Sequence, residues 1–437
     1  MEKTSNHQTA EKIDEKCASS QGGAPRRLKV LLGCYACSPC YGSEPGMGWN
    51  FASHIARWHD VHVIVEKNEF EETLARFSRE HSEAVEHMTF HFVPRVHHET
   101  LRKFWPPSYY HFYRRWHKRA YELAQELDAK EHFDIVHQIT IAGFREPGYL
   151  WKLGKPFVWG PLGGFADAPW CLIRYLGFYG CVFLGVRTLI NAVHKRWGRN
   201  RRAAARAASA ILVSTKDGME AVRRFWRRDA YFMSEVGLEN SSFPHSVEGA
   251  FATRKDPPLR ICWAGNLIPG KALDLLIRAL PLCKEKMELH VLGKGPRMTA
   301  WKGLASRLRV EDWITFYGGV ERKEVFRIME VSHVFCITSV CDATSTVLLE
   351  AFSHRLPIIA LDHCGFSTAI DDTCGIKIPI RSLSQVIADY ARSLDFLAAH
   401  EDVRQRLAAG ALERCRYFTW ESKMQMLNKI YSNVVQG

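Results

Sequence analysis

LKVLLGCY at residues 28–35, the glycine-bearing stretch YGSEPGMGW at 41–49 and VHVIVE at 61–66 decide the fold class of this chain. The first and last are short apolar runs bounded by turn residues, the pattern of strands covered on both faces, and a helix fits around Gly48 to Trp58 between them. Strand, glycine loop, helix and strand make a βαβ unit, which sets the two strands parallel. Working outward, strand-like runs recur at Thr89–Pro94, Phe133–Gln138, Pro156–Gly160 and Ala210–Ser214, separated by long amphipathic or basic helices. A polar, turn-rich stretch from Glu239 to Pro258 interrupts the pattern, and a fresh series starts. Its strands are expected at Leu259–Ala264, Glu288–Leu292, Ile314–Tyr317, His333–Ser339 and Pro357–Leu361, and its helices at Ala272–Leu282, Lys323–Val331 and Val347–His354. The expectation is an α/β protein of two Rossmann-like, doubly wound halves, with boundaries at 26–245 and 246–415. Residues 1–25 form an expected disordered tail, and 416–437 hold a last amphipathic helix able to pack back on the first half.

Composition agrees with two cores. The chain has 437 residues, 46% hydrophobic and 24% charged, which excludes a disordered or multi-span membrane protein. The 13 cysteines lack paired-ligand spacing, and Cys34, Cys37 and Cys40 have no second Cys/His set beside them, so no metal site is expected. The polar opening residues carry no apolar segment of a signal peptide, and the expected compartment is the reducing cytoplasm. The formal charge of +12 is uneven: Pro169 to Lys216 holds nine Lys or Arg and no acid. Within it, YLGFYGCVFLGV at 175–186 is uncharged but too short to span a bilayer. Two readings stand: a buried helix followed by a solvated basic one, or contact with an anionic membrane surface through Arg174, Arg187, Arg196, Arg199, Arg201 and Arg202. RKFWPPSYYHFYRRWHKR at 102–119 repeats the aromatic and basic mixture. No nucleic-acid recognition motif accompanies the charge.

The chemistry concentrates in TSVCDATSTVLLEA at 338–351, a strand end, a polar loop and a helix start. Ser345 and Thr346 suit the N-cap, so the free N–H groups of that first turn, with those near Thr344, can hold a phosphate at the sheet's carboxyl edge. Glu350 lies one turn beyond Thr346, about 6 Å along the axis, roughly a diphosphate-to-ribose step. Asp342 points to the far end of such a ligand; alternatively both acids simply answer the helix dipole. The loop GNLIPGK at 265–271 brings Gly265, Asn266 and Lys271 to the same edge, with Lys271 placed to put an ammonium on a phosphate oxygen. Loops at Gly293–Pro296, containing Lys294, at Gly318–Val320 and at Cys364–Phe366 complete this rim. The first half offers Tyr41–Trp49, with Gly42, Ser43 and Gly46, and Gly160–Gly164. Neither is a dinucleotide fingerprint or a Walker loop. His137, ending FDIVHQI, is expected to face the cleft, or else to be a satisfied structural histidine. Arg145 and Glu146 can orient an acceptor or pair with each other.

These strings resemble glycosyltransferase family 4, retaining enzymes of the GT-B fold, from about Lys29 to Tyr431. The Glu-x7-Glu motif of that family falls on Asp342 and Glu350 and is followed by the matching LLEAFSHRLPIIA; GNLIPGKALDLLI, LGKGP, FYGGV, YGSEPGMGWNFA and FVWGPLGG support it. The last two are similar to bacterial members that build cell-surface polysaccharides. The resemblance implies that the first half binds acceptor and the second binds a nucleotide-diphosphate sugar. Glu350 would hold the ribose, Asp342 the sugar hydroxyls, Lys271 and the amides of Thr344–Thr346 the diphosphate, and the loop Gly42–Gly46 would close from the opposite half. It further implies transfer of a hexose to a polyprenyl-diphosphate-linked saccharide at the inner face of the cytoplasmic membrane, with no metal or other cofactor. Two positions depart from the pattern: Asn266 stands where the family has an arginine, for which Lys294 or Arg297 can substitute, and Asp342 is one methylene short. The competing classes are a membrane-docking scaffold with an idle pocket, a nucleotide-sugar epimerase and a phosphorylase.

Overall fold

Each Val-, Ile- and Leu-rich run becomes a parallel strand, most with both faces covered. The structure, a computed structural model, describes residues 26–95, 108–167, 169–173, 177–239, 258–340, 342 and 344–436. The expected tail, most of the expected junction, part of the 102–119 segment and Arg174 lie outside the described residues. The first half holds β1 (Lys29–Cys34), β2 (Asp60–Glu66), β3 (Met88–Val93), β4 (Ile135–Thr140), β5 (Phe157–Leu162), β6 (Ala210–Val213) and β7 (Tyr231–Phe232). They form one sheet in the order β3-β2-β1-β4-β5-β6-β7. The second half holds β8 (Leu259–Ala264), β9 (Met287–Leu292), β10 (Ile314–Gly318), β11 (Val334–Ile337), β12 (Ile358–Leu361) and β13 (Gly375–Ile378), ordered β10-β9-β8-β11-β12-β13. Every described pairing is parallel. Both sheets therefore reverse direction of growth beside their first strand, between β1 and β4 and between β8 and β11. Ligands of open α/β sheets bind outside the carboxyl ends at such points.

Departures from the sequence expectation have local causes. β7 is two residues long and β13 carries Lys377 mid-strand, so neither reads as an apolar run. The helix expected over 272–282 is broken into a 3-10 turn at Pro269–Lys271, a left-handed Ala272 with φ 43°, a helix at Asp274–Ala279 and a second 3-10 turn at Leu280–Leu282. Pro281 has no N–H to continue the helical ladder. In β5, Gly160 has φ 131° and an added Cβ would sit 2.2 Å from the Leu212 carbonyl oxygen of β6, so only glycine fits.

The last helix, Trp420–Gln436, returns to the first half, where Trp420, Met424, Leu427, Ile430 and Tyr431 share a core with β1, β2 and the helix Ser43–Ala56. The chain thus crosses between halves twice, and the crossings are tied together: Leu238 N–H donates to Phe418 O (3.1 Å) and Trp420 N–H to Leu238 O (2.9 Å). Leu172 of the first half packs into the core of the second.

The helix Gly177–Trp197 takes in residues 177–186 of the expected apolar stretch, whose first two residues lie outside the described ones, and continues beyond it. Two of its polar residues face inward: Asn191 and Lys195 are buried, and Lys195 pairs with Asp167 at 3.0 Å. Its apolar residues Val182, Val186, Leu189, Ile190, Val193 and Trp197 face outward, the last 69% exposed. Among the described residues no helix is long and apolar enough to cross a membrane.

Candidate functional site

The switch point of the second sheet gathers charge. The loop after β8 turns tightly through Pro269–Lys271 and is stitched to the loop after β11: Val340 N–H donates to Gly270 O (3.0 Å) and Thr338 Oγ1 donates to Lys271 O (2.6 Å). Trp263 Nε1–H donates to the same hydroxyl at 3.0 Å, fixing it from below. These bonds bring the Lys271 ammonium directly onto the Asp342 carboxylate. Next, the helix Thr346–Ser353 starts at Ser345, which is extended (φ −97°, ψ 135°) and makes no side-chain cap. Its first-turn N–H groups therefore receive no cap from Ser345, the condition for anion binding at a helix start. Glu350 is buried in this helix, and its Oε1 lies 2.7 Å from the Arg322 guanidinium.

Arg322 is a residue the sequence reading missed. It opens the helix Arg322–Val331 after β10 and lies over the Phe326 ring, 5.1 Å from its centroid. A cation in a first helical turn opposes the helix dipole, and that mismatch is the signal that marks it. The other expected rim residues do share this edge. Gly293 N–H donates to Gly318 O at 2.7 Å, and Gly265 approaches Gly293 so closely that a Cβ on Gly293 would lie 1.9 Å from the Gly265 carbonyl. Asn266 and Lys294 are exposed beside them, with the Lys294 chain lying along Gly319.

The rim of the first sheet is different. Of the expected loop Gly42–Gly46, only Gly42 precedes the helix Ser43–Ala56, as its N-cap; Ser43 to Gly46 instead form its first turn, with Ser43 at φ 56°. Gly46 presses on Tyr41, whose carbonyl oxygen would lie 2.5 Å from an added Cβ, whereas Gly42 faces open space. Glu44, also missed, accepts from Ala142 N–H at 2.6 Å just beyond β4, and burial pushes its carboxyl up. His137 does not face the cleft. It is fully buried in β4: Nε2–H donates to Gly160 O (2.7 Å), and Nδ1 accepts from the Tyr431 hydroxyl (2.6 Å). Burial lowers its pKa to about 4, so it is a neutral structural group joining β4, β5 and the last helix. Glu146 pairs with Arg114 at 2.5 Å instead of with Arg145, which reaches Asn191.

Of the six arginines expected at a membrane, Arg201 is buried, donating to His194 O (3.1 Å) and Arg145 O (2.8 Å). It serves the fold. Arg196, Arg199 and Arg202 are exposed, and Arg187 is partly covered. Among the described residues no three His, Cys, Asp or Glu side chains gather where they could hold a metal ion.

Comparison with known proteins gives this geometry a context. Residues 258–395, which contain the whole charged rim, match the family described as glycosyl transferases group 1, so the second half carries a domain of that family. A D-inositol 3-phosphate glycosyltransferase of Stackebrandtia nassauensis is 32% identical over 249 residues, covering 52% of this chain and 55% of that one. The chain spans about half the length of the curated relatives it matches. Among solved structures, Anabaena HepE in complex with UDP and glucose superposes with a TM-score of 0.59 at 13% identity, covering 93% of this chain and 100% of that one. WaaG, a glycosyltransferase involved in lipopolysaccharide biosynthesis, gives 0.56 at 17% identity, with 92% and 99% covered. The two parallel-sheet halves are those of the GT-B fold.

Proposed function

We propose, on the premise that residues 258–395 are a glycosyl transferases group 1 domain, that this chain moves a hexose from a nucleotide-diphosphate sugar to a membrane-anchored saccharide, with retention of configuration. The observation that carries the reading is the order of groups along one sheet edge: Lys271 and Asp342 on either side of the switch point, a helix start not capped by Ser345, then Glu350 one turn deeper. That order matches a sugar, a diphosphate and a ribose in line. HepE, which shares the fold, binds UDP and glucose.

In this proposal the arriving diphosphate exchanges for Asp342 on the Lys271 ammonium, and Asp342 turns to the sugar hydroxyls. Glu350 exchanges Arg322 for the ribose hydroxyls. The acceptor hydroxyl then bonds to the anomeric carbon on the face that the diphosphate leaves, and a phosphate oxygen takes the hydroxyl proton. Lys271 and the amides of Thr344–Thr346 stabilise the charge that grows on the leaving group, the kind of preorganised contribution that dominates many enzymes. No metal ion and no other cofactor enters the proposal. Calorimetric titration with UDP-, GDP- and ADP-sugars tests it, followed by NMR of the product formed on a lipid-linked acceptor. Saturable binding of one donor and a product of unchanged anomeric configuration are expected; binding of none would refute the assignment.

The membrane part rests on the reversed helix Gly177–Trp197. Its outward residues recur every three or four positions and so make one continuous apolar stripe, to which Trp170, 65% exposed, adds. Exposed Arg196 sits in its last turn and exposed Arg199 and Arg202 follow it, the pairing expected of a helix lying in an anionic headgroup layer. We place this face on the inner leaflet of the cytoplasmic membrane, where it would present a polyprenyl-diphosphate-linked saccharide of cell-surface polysaccharide synthesis to the cleft. Leu189→Glu with Trp197→Glu should release the protein from phosphatidylglycerol vesicles, and Arg196, Arg199 and Arg202 changed to Gln should do so in a salt-dependent way. Unaltered sedimentation of both variants would remove this part and leave the transfer reaction standing.

A further inference from the structure

The proposed diphosphate seat already has an occupant. Glu235 lies in the first crossing between the halves, three residues before the Leu238 bridge to the second crossing. Its Oε1 accepts from the Thr344 backbone N–H at 2.6 Å, so a carboxylate of one half holds an amide that introduces the Thr346–Ser353 helix of the other. Its Oε2 is shielded from solvent and has no hydrogen-bond partner. The Thr344 hydroxyl is likewise buried and unpartnered. Two unsatisfied polar oxygens beside a helix start are costly in a folded protein, and a ligand that brings donors and acceptors would satisfy them.

We propose that Glu235 is a positioning residue of the donor site: it holds the Thr344 amide while the donor is absent and yields it when a diphosphate binds. The inference rests on the donor reading above and goes beyond it by making donor binding a proton-linked event that involves the crossing between the halves. Two other charged groups act on Glu235. Lys423, from the last helix, lies over the Trp420 ring at 3.7 Å and donates to Val236 O at 3.3 Å; burial pushes its own pKa well down, and when protonated it lowers the Glu235 pKa, while Asp342, from the loop after β11, raises it. Burial dominates and pushes the Glu235 carboxyl up to about 7. A diphosphate at the Thr344–Thr346 amides adds negative charge beside it and raises it further, so binding draws one proton from solvent onto Glu235. Below about pH 7 the proton is already present and affinity is at its plateau. Above that value each ligand must recruit it, and one proton per ligand is about a tenfold rise in Kd per pH unit.

The test is calorimetric titration of the full chain with UDP-glucose, GDP-mannose and ADP-glucose, whose diphosphate diesters do not titrate between about pH 6 and about pH 8.5. Glu235→Gln keeps an acceptor for the Thr344 amide and abolishes the titration. For the donor that binds, wild type should lose affinity on the order of tenfold as pH rises through that range, while Glu235→Gln should bind throughout as wild type does at the acid end. A wild-type Kd flat with pH, or the same slope in Glu235→Gln, would overturn the inference and leave the donor reading intact. Absence of binding by all three donors at every pH would overturn the donor reading and this inference with it.

Discussion

The two switch points share a strand order and differ in almost every side chain that matters. Between β8 and β11 the rim carries Lys271 and Asp342, with Glu350 and Arg322 one step along, paired with each other in a manner that a polar ligand can exchange. Between β1 and β4 the rim is glycine-rich, its acid Glu44 is committed to the Ala142 amide, and His137 beneath it is bonded through both ring nitrogens. Topology offers a crevice twice, and the side chains equip one of them for a charged donor. The first half keeps its unsatisfied surface elsewhere, on a helix turned inside out.

The largest expected effect that would break this contrast is on Glu350. Glu350→Ala should weaken nucleotide-sugar binding by about 3 kcal/mol, on the order of 100-fold in Kd, through loss of charge-assisted bonds to ribose; isothermal titration reads it. Equal affinity would mean that the acidic rim is not the donor site. In the first half, His137→Phe should leave donor affinity unchanged and lower unfolding free energy in denaturant by about 2 kcal/mol, since Gly160 O and the Tyr431 hydroxyl lose their partner. The pH dependence carries the sign of a buried neutral imidazole. Its pKa is lowered from 6.5 to about 4 in the folded protein, so its contribution is full above pH 6.5 and drains as pH falls towards 4. Wild type should therefore destabilise more steeply across that window than His137→Phe does. Lys271→Ala should cost about 2 kcal/mol in kcat/KM, mostly through kcat if the ammonium acts on the leaving group. Arg322→Ala should give the smallest change, about 1 kcal/mol, seen as an altered KM because it frees Glu350 from a partner that ribose must displace.

What was legible in the sequence follows from range. Alternating apolar runs and helices are local patterns, and they mark both sheets well enough to find the switch points. Asp342 and Glu350 are eight residues apart on one loop and one helix, so their alignment is visible in the linear chain. Lys271 lies 71 residues from Asp342 and was reachable because both follow strands of the same sheet. His137 stayed open between the cleft and a structural role because its partner Tyr431 is 294 positions away, in a helix whose destination the sequence left open. Arg201 looked like one more member of a basic run, and only packing reveals that it spans two carbonyls. Glu235 and Glu44 were passed over for the same reason: each is an ordinary acid until the backbone amide it meets, on another element, comes into view. The apolar stretch at 175–186 was noticed, but the outward orientation of its Val182 and Val186 goes with the burial of Asn191 and Lys195 beyond its end.

The most direct test of the account is a crystal structure with the nucleotide sugar bound. The expected result puts both phosphorus atoms at the start of the Thr346–Ser353 helix, with the Lys271 ammonium on a phosphate oxygen and the Glu350 carboxylate on the ribose hydroxyls. A nucleotide seated instead on the Gly42–Gly46 and Gly160–Gly164 segments at the edge of the first sheet, with Glu350 still on Arg322, would contradict it.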